Sequence, residues 1–339
     1  MANISTLNFG QLSDLIEREF MDNLKTLSRD MLDSGIVRKN VIPHGTGDTR
    51  RMAEAIDSTQ YAGVRDEGDT ANQAEIQYGW EKDLQTYTIA QERSVSKHMR
   101  DVGKDNQIDA IVKNLAEVCP NTIDLDLSHR LTFAWSTSYT RTAGNTSTTI
   151  DTTVGDGLSL IATNHTLTGS STTYSNQLPG NPQFSKGSLE NMAKLFVEQT
   201  YDNLGVLRAM EPDTIITTRD PNTINQVREL LHATSNIDSS NSGTMNVYAN
   251  AFKHKPISRI ATTASGQYDT TKAKYWFLAS SDNSSFYYSV LNEPYFKKPM
   301  DGNNGEVFSS EDWNYLVAAD YGIAIVGARW IKWSKGDWS

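Results

Sequence analysis

The sequence predicts an α+β fold, with helices early and in the middle of the chain and strands late. Three observations carry this reading. Apolar residues recur at helical three- and four-residue steps over 9–34, 108–135, 186–204 and 221–231. They alternate with polar residues on both sides of a polar turn between 50 and 93. The late run Tyr321–Trp333 is apolar on both faces, as suits a central strand.

The first segment, 9–34, carries Leu12, Leu15, Ile16, Phe20, Leu24, Leu27 and Met31 on one stripe. Asn8 and Gln11 are placed to cap it, and Gly35 to stop it. Its other face mixes Asp14, Glu17, Glu19, Lys25 and Arg29. That is too acidic for a membrane-surface helix, so it is expected to dock on protein. In 50–93, Ile76, Tyr78, Trp80, Tyr87 and Ile89 alternate with polar residues around the turn-like stretch 64–75. This predicts a long antiparallel ribbon, and a two-stranded ribbon is marginal in water without another surface to lie on. Ile108, Ile111, Val112 and Leu115 predict a helix that starts near Asp105 and ends at Pro120, followed by a second helix through Leu127, Leu131 and Trp135. The Ser-, Thr-, Asn- and Gly-rich stretch 136–185 reads as a long surface excursion. A helix is expected over 186–204, capped by Ser185 or Ser188 and ended by Gly205. A short buried strand follows at 213–218, then a helix opened by Asp220-Pro221. Strands are expected at 256–263, 273–280, 286–291 and 315–333, after a polar loop at 235–244.

The 339 residues suffice for about two domains, or one with large insertions. Apolar residues are 37% with Tyr counted and Gly left out. Exchanging the 14 Tyr for the 22 Gly still leaves the chain lean against an average of ~45–50%. The formal charge is −10, which argues against a dedicated nucleic-acid binder. The lone Cys119 cannot form an internal disulfide and suits a reducing compartment. No apolar run approaches a membrane span, and the N-terminus does not read as a secretory signal.

Catalytic chemistry is sought and not found. Phosphate-loop, dinucleotide, zinc-protease and nucleophile-elbow patterns do not occur. Gly45-Thr46-Gly47 reads as an ordinary turn. The histidines His44, His98, His129, His165, His232 and His254 share no ligand spacing. Asp124 and Asp126 are read as the solvated edge of a strand, and Cys119 as a small residue closing a helix before Pro120. Three Asn-x-Ser/Thr matches, at Asn145, Asn164 and Asn283, are read as chance in so Ser- and Thr-rich a chain. Trp313, Trp330, Trp333 and Trp338 suit a packed sheet face or a subunit anchor better than a sugar platform. No catalytic residue, metal site or cofactor is expected.

The local text carries a further signal. Gly155–His165 reads GDGLSLIATNH, similar to the DG-x-x-L-[FI]-[SA]-T-x-H stretch of one large group of tailed-bacteriophage major capsid proteins. Tyr174-Ser175-Asn176, the run Ser185–Glu190 and Glu211-Pro212-Asp213-Thr214-Ile215-Ile216 fit the same group. The order of segments resembles it over essentially the whole chain, most strongly at 155–232. The resemblance implies the Hong Kong 97-type capsid fold, with an N-terminal arm (1–49), an extended ribbon loop (50–93) and the helical part of a peripheral domain (94–154). A mainly axial domain (155–310) would follow, and then C-terminal strands returning to the peripheral domain (311–339). Pro120 departs from the pattern, because it falls inside what is often one long spine helix.

The function implied is a major capsid protein, without enzymatic activity, that self-assembles as pentamers and hexamers of an icosahedral head enclosing double-stranded DNA. It would be found in the virion after assembly in the host bacterial cytoplasm. A portal and a separate scaffold protein are the expected partners, the latter because the amphipathic arm begins within ten residues of Met1. DNA would be enclosed without sequence-specific binding, and no membrane is involved. Leu24 and Leu27 on the arm, Arg65, Asp66, Glu67 and Asp69 at the ribbon tip, and Trp80 are the expected subunit contacts. The alternatives are a cytoplasmic α+β enzyme of hydrolase type, the shell protein of a non-viral nanocompartment, or a tail-tube-like structural protein.

Overall fold

Two four-stranded sheets share one continuous core in the computed structural model, which describes residues 14, 16–22, 29–54, 61–62, 64–71, 77–102, 105–143, 146–233, 235, 245–297 and 312–337. In chain order the elements begin with a helical segment α1 (16–22), then β1 (Val37–Val41), β2 (Thr49–Ala53), β3 (Glu81–Gln85), β4 (Tyr87–Val95), α2 (Lys97–Asp101) and α3 (Asp105–Thr132). The middle of the chain holds β5 (Ser138–Ala143), β6 (Thr146–Asp151), β7 (His165–Thr166), β8 (Thr173–Tyr174), α4 (Lys186–Glu198), β9 (Thr214–Thr217) and α5 (Pro221–His232). β10 (Lys253–Pro256), β11 (Trp276–Ala279), β12 (Phe286–Lys297), β13 (Trp313–Ile325) and β14 (Ile331–Ser334) complete it.

The first sheet has the order β1-β12-β13-β4. β1 runs parallel to β12, and the other two pairs are antiparallel. The long helix α3 lies against it. Leu115, Ala116, Cys119, Ile123, Leu127 and Leu131 form its buried stripe, in one cluster with Tyr288, Val317 and Tyr321 of the sheet. α1 adds Phe20 to this core, with its ring 5.2 Å from that of Phe296 on β12. Ile16 and Phe20 of the predicted stripe thus pack on protein, here on their own chain.

The second sheet has the order β10-β9-β11-β14. Its strands β9, β11 and β14 are buried on both faces, while the edge strand β10 is only partly covered, and alternate residues serve different neighbours. Ile215, Trp276 and Leu278 face α4 and α5, meeting Met192, Phe196, Val227 and Leu231. Ile216, Phe277, Ile331 and Trp333 face the core shared with the first sheet. Both covering helices have the expected starts. Ser185 and Ser188 form a reciprocal capping box on α4, and Asp220 caps α5 with Pro221 in its first turn.

Several expectations are corrected. Helix 9–34 does not extend to its predicted end: residues 29–31 are irregular or turn, and Leu32–Ser34 is one turn of 3-10 helix closed by Gly35 at φ 84°. β1 follows it, a strand with no clear alternation. Pro120 does not end a helix, for α3 runs through it for 28 residues. An interior proline removes one backbone bond and costs about 3 kcal/mol. Burial of the six apolar side chains just named, each at about 1.5–3 kcal/mol for the larger ones, outweighs that locally. The 136–185 stretch is not a surface excursion beyond its hairpin β5–β6. Leu160, Ile161, Tyr174, Leu178 and Phe184 are buried. Irregular backbone can enter a core only if its polar groups are paired, and the Ser/Thr/Asn richness does this. Asn176 alone accepts from the Ala162 N–H at 2.9 Å and donates to the carbonyls of Leu160 and Ala328 at 2.7 and 3.3 Å. α4 stops at Glu198, short of Gly205. The strand expected at 256–263 lies instead at Lys253–Pro256 and gives way to a 3-10 turn at Ser258–Ile260. The 315–333 run is two strands in two sheets, because the chain turns at 326–330 and crosses from the first to the second.

Candidate assembly elements

The ribbon is rooted by the antiparallel pair β2–β3, with Thr49 opposite Gln85 and Ala53 opposite Glu81. One face of this pair is apolar: Met52 and Leu84 are buried with Ile42, Ala324 and Val326, and Trp80 packs at the margin. Lys82 reaches from the same root to Asp151 on β6 at 2.9 Å and to the Thr153 hydroxyl at 2.9 Å. Burial pulls the Lys82 ammonium pKa down more than Asp151 raises it. The outer face carries exposed pairs from Arg51 to Asp83 and Glu81, which contribute little in water. β4, read from sequence as ribbon, pairs with β13 and is an edge strand of the first sheet.

The predicted contact residues fall into three groups. Arg65, Asp66, Glu67 and Asp69 are all exposed at the tip, where the Asp69 N–H donates to the Asp66 carbonyl at 3.2 Å and Gly68 has φ 94°. Beside them in the chain Tyr61 and Val64 stand in solvent, with Val64 fully exposed, and the Tyr78 side chain is exposed on the returning leg. Trp80 is half-buried on its own chain, its indole N–H donating to the Thr166 carbonyl at 3.1 Å. Leu24 and Leu27 lie outside the described residues.

Sequence reasoning missed the buried charges. Asp124 and Asp126, taken for a strand edge, are on α3 and almost fully buried. Asp124 pairs with Arg259 at 2.8 Å and accepts from the Met31 N–H at 2.9 Å. Asp126 accepts from the Tyr321 and Tyr87 hydroxyls at 2.5 and 3.2 Å and pairs with Arg141 of the β5–β6 hairpin. On a helix these two side chains point roughly 200° apart, and both are buried because this part of α3 is covered on more than one side, by Met31 and Arg259 at one carboxylate and by Tyr87, Tyr321 and Arg141 at the other. The Gly155–His165 stretch also has a physical basis. Asp156 and His165 form a buried pair at 2.7 Å, with the second ring nitrogen 3.2 Å from the Leu160 carbonyl. Burial opposes the Asp156 carboxylate, and the hydrogen bond and charge of His165 outweigh it, holding its pKa below the ordinary value. Lys332 is fully buried on β14, donating to the Gln199 carbonyl at 3.1 Å with the Tyr174 and Phe196 rings about it. Burial alone brings its pKa to about 7. The signal for it was present: a lysine inside a run that is apolar on both faces.

A cleft of about 600 Å³ between α3, β4 and the hairpin has a mixed lining that includes Thr88, Thr122, Thr142, Cys119 and Arg141. The Cys119 thiol is buried and its pKa is pushed up to about 12, so it is no thiolate. Arg141 is paired with Asp126. Among the described residues, no three His, Cys, Asp or Glu side chains gather as a metal site, and no helix is long and apolar enough to cross a membrane.

No protein-family model matches the chain, and no curated protein matches its sequence significantly. Solved structures do. The capsid of Myoviridae Phage XM1 is similar over 91% of this chain and 91% of its own, with a TM-score of 0.51 and 13% identity. A structure from Gordonia phage Cozz is similar over 90% and 85%, at 0.50 and 12%. The procapsid of bacteriophage JBD30 matches 97% of this chain and 76% of its own, at 0.46 and 12%. The likeness to the XM1 capsid shows that the chain has that subunit's α+β fold, the Hong Kong 97 type, over 91% of its length.

Proposed function

We propose that the chain is the major capsid protein of a tailed phage and self-associates as pentamers and hexamers of an icosahedral head around double-stranded DNA. The observation that carries this is the whole-chain fold similarity to the phage XM1 capsid, which spans both chains at 91%. The exposed apolar residues Tyr61, Val64 and Tyr78 on the ribbon support it, since a protruding element of this kind gains its missing burial from a neighbour. In this reading the arm is 1–49, the ribbon 50–93, the helical part of the peripheral domain 94–154, the mainly axial part 155–310, and the C-terminal strands 311–339. Arg65, Asp66, Glu67, Asp69, Leu24, Leu27 and Trp80 contribute to subunit contacts. Its role is structural, with no catalysis and no cofactor. The net charge of −10 suits a wall that releases a polyanionic cargo. A portal and a separate scaffold protein are its proposed partners, the virion its proposed location, and the bacterial cytoplasm its place of assembly.

The test is negative-stain microscopy of the protein expressed alone and with its genomic neighbours. Closed, uniform shells of tens of nanometres support the reading. Tubes, or a lone monomer under every condition, would defeat it. Shells packed with a folded enzyme in place of DNA would move the protein to the nanocompartments.

A further inference from the structure

Both legs of the ribbon converge on one buried hub. On the outgoing leg, Glu54 follows β2 and pairs with Arg329, with Oε1 3.0 Å from Nε and Oε2 2.5 Å from Nη2. Arg329 is itself immobilised. Nη1 donates to the Tyr201 carbonyl at 2.8 Å, and Nη2 to the Asn203 side-chain oxygen at 2.7 Å. It is nearly fully buried, as Asn203 is. A guanidinium held at several donors in low dielectric is a fixed point, and removing its carboxylate leaves a buried charge uncompensated.

The returning leg meets the same hub. The Trp80 carbonyl accepts from the Glu54 N–H at 2.9 Å, which closes the two legs on each other. The Tyr78 carbonyl accepts from the Thr168 hydroxyl at 2.7 Å, and Trp80 donates to the Thr166 carbonyl. The stretch beneath, 155–169, is locked from below by the Asp156–His165 pair and from the side by the Gly169 N–H on the Asn203 carbonyl at 2.9 Å. Contact is close enough to leave no room for a Cβ at several of the hub's glycines unless a neighbour moves. A Cβ at Gly155 would lie 2.6 Å from the Trp80 Cβ and 2.9 Å from the Val326 carbonyl oxygen. One at Gly327 would collide with the Glu54 carboxylate.

We propose that this hub, Glu54–Arg329–Asn203 with the 155–169 platform, is a preset joint that fixes the angle at which the ribbon leaves the body within each subunit, before any neighbour is met. It deepens the shell reading above and rests on it only for its consequence, which is that the joint helps set the geometry of the subunit contact. The expectation that the ribbon is ordered only by a neighbour is narrowed accordingly, because 77–80 already lie on their own chain.

The experiment uses the full chain, with the variants E54A, E54Q and G327A. Site-resolved hydrogen exchange on the unassembled subunit reads the joint directly. In the wild type, the amides of Glu54 and Gly155 are expected to be protected as well as those within β2–β3. E54A and G327A should lower the protection at these positions by at least about ten-fold, which corresponds to about 1.4 kcal/mol. The amides of β9 and β11 should stay unchanged, which shows that the fold is kept. E54Q, which keeps the shape and loses the charge, should fall between. Unprotected amides at 54 and 155 in the wild type would overturn the joint, as would unchanged protection in both E54A and G327A. The second readout is the assembled product. Where the wild type forms shells, E54A and G327A are expected to give altered diameters or open sheets, and shells identical to wild type from both would overturn the consequence. If the wild type forms no shells with any partner, the shell reading fails while the exchange result still decides the joint.

Discussion

Buried imidazoles make the subunit sensitive to acid. His129 is enclosed by Phe133 and Tyr139, and His254 bonds the Thr217 hydroxyl at 2.9 Å. Burial lowers both pKa values to about 4. A base whose folded pKa lies below its unfolded value favours the unfolded chain once protons bind there first. The stability that these residues allow is therefore full above pH ~6.5 and is lost as pH falls toward about 4. The expected loss is on the order of 1–3 kcal/mol for His129. Urea midpoints at pH 7 and 4.5 should show it, and H129Q/H254Q should flatten the dependence; an equal slope in the double variant would refute it. Lys332 acts in the alkaline window with the same sign. With a folded pKa of about 7 against 10.5, the wild type should gain stability on K332M as pH rises from about 7 to 10. The same titration measures this, and a gap independent of pH would mean that Lys332 stays charged in the folded chain, as it is in the unfolded one.

At the scale of elements, the helix α3 and the ribbon make opposite demands. α3 holds together across Pro120 because its buried stripe packs along its whole length. P120A restores a backbone donor, at the cost of a looser unfolded chain worth about 0.4–1 kcal/mol. A net gain of about 2–2.5 kcal/mol is expected in urea unfolding. A loss would show that the local shape at Pro120 is needed for packing on β12 and β13. The arm is tested in a different way. L24D/L27D should leave the subunit folded, with near-wild-type circular dichroism, yet block assembly. Normal shells from this double variant, or flotation of the wild-type protein with liposomes, would count against protein docking of the arm.

For the molecule as a whole, the lean composition fits the architecture. Two sheets share one core, and three strands of the second, β9, β11 and β14, are packed on both faces, so few strands present an apolar face to water. Three charged side chains at the core, Asp126, Arg329 and Lys332, each tie a separate piece of chain to the body: the hairpin, the ribbon root and the loops at 175 and 199. Buried ionic groups are costly in free energy and favour one arrangement over others. That suits a subunit whose contacts must be repeated identically many times.

Signals that act within a few residues were legible in the sequence: the caps at Ser185 and Asp220, the buried strand at 214–217, the apolar stripe that buries Phe20, the polar turn at 66–69, and the Asp156–His165 text. Each depends on bonds or periodicities that span about one or two turns of chain. What only the tertiary structure decided is long-range. It set the passage of α3 through Pro120, the parallel pairing of β1 with β12 some 250 residues away, and the division of the final apolar run between two sheets. It also buried the 152–185 stretch, where side-chain hydrogen bonds replace a ladder. The hub was invisible for the same reason. Glu54, Asn203 and Arg329 lie far apart in the chain, and a charge shows no periodicity. Only packing brings the partner that makes its burial affordable.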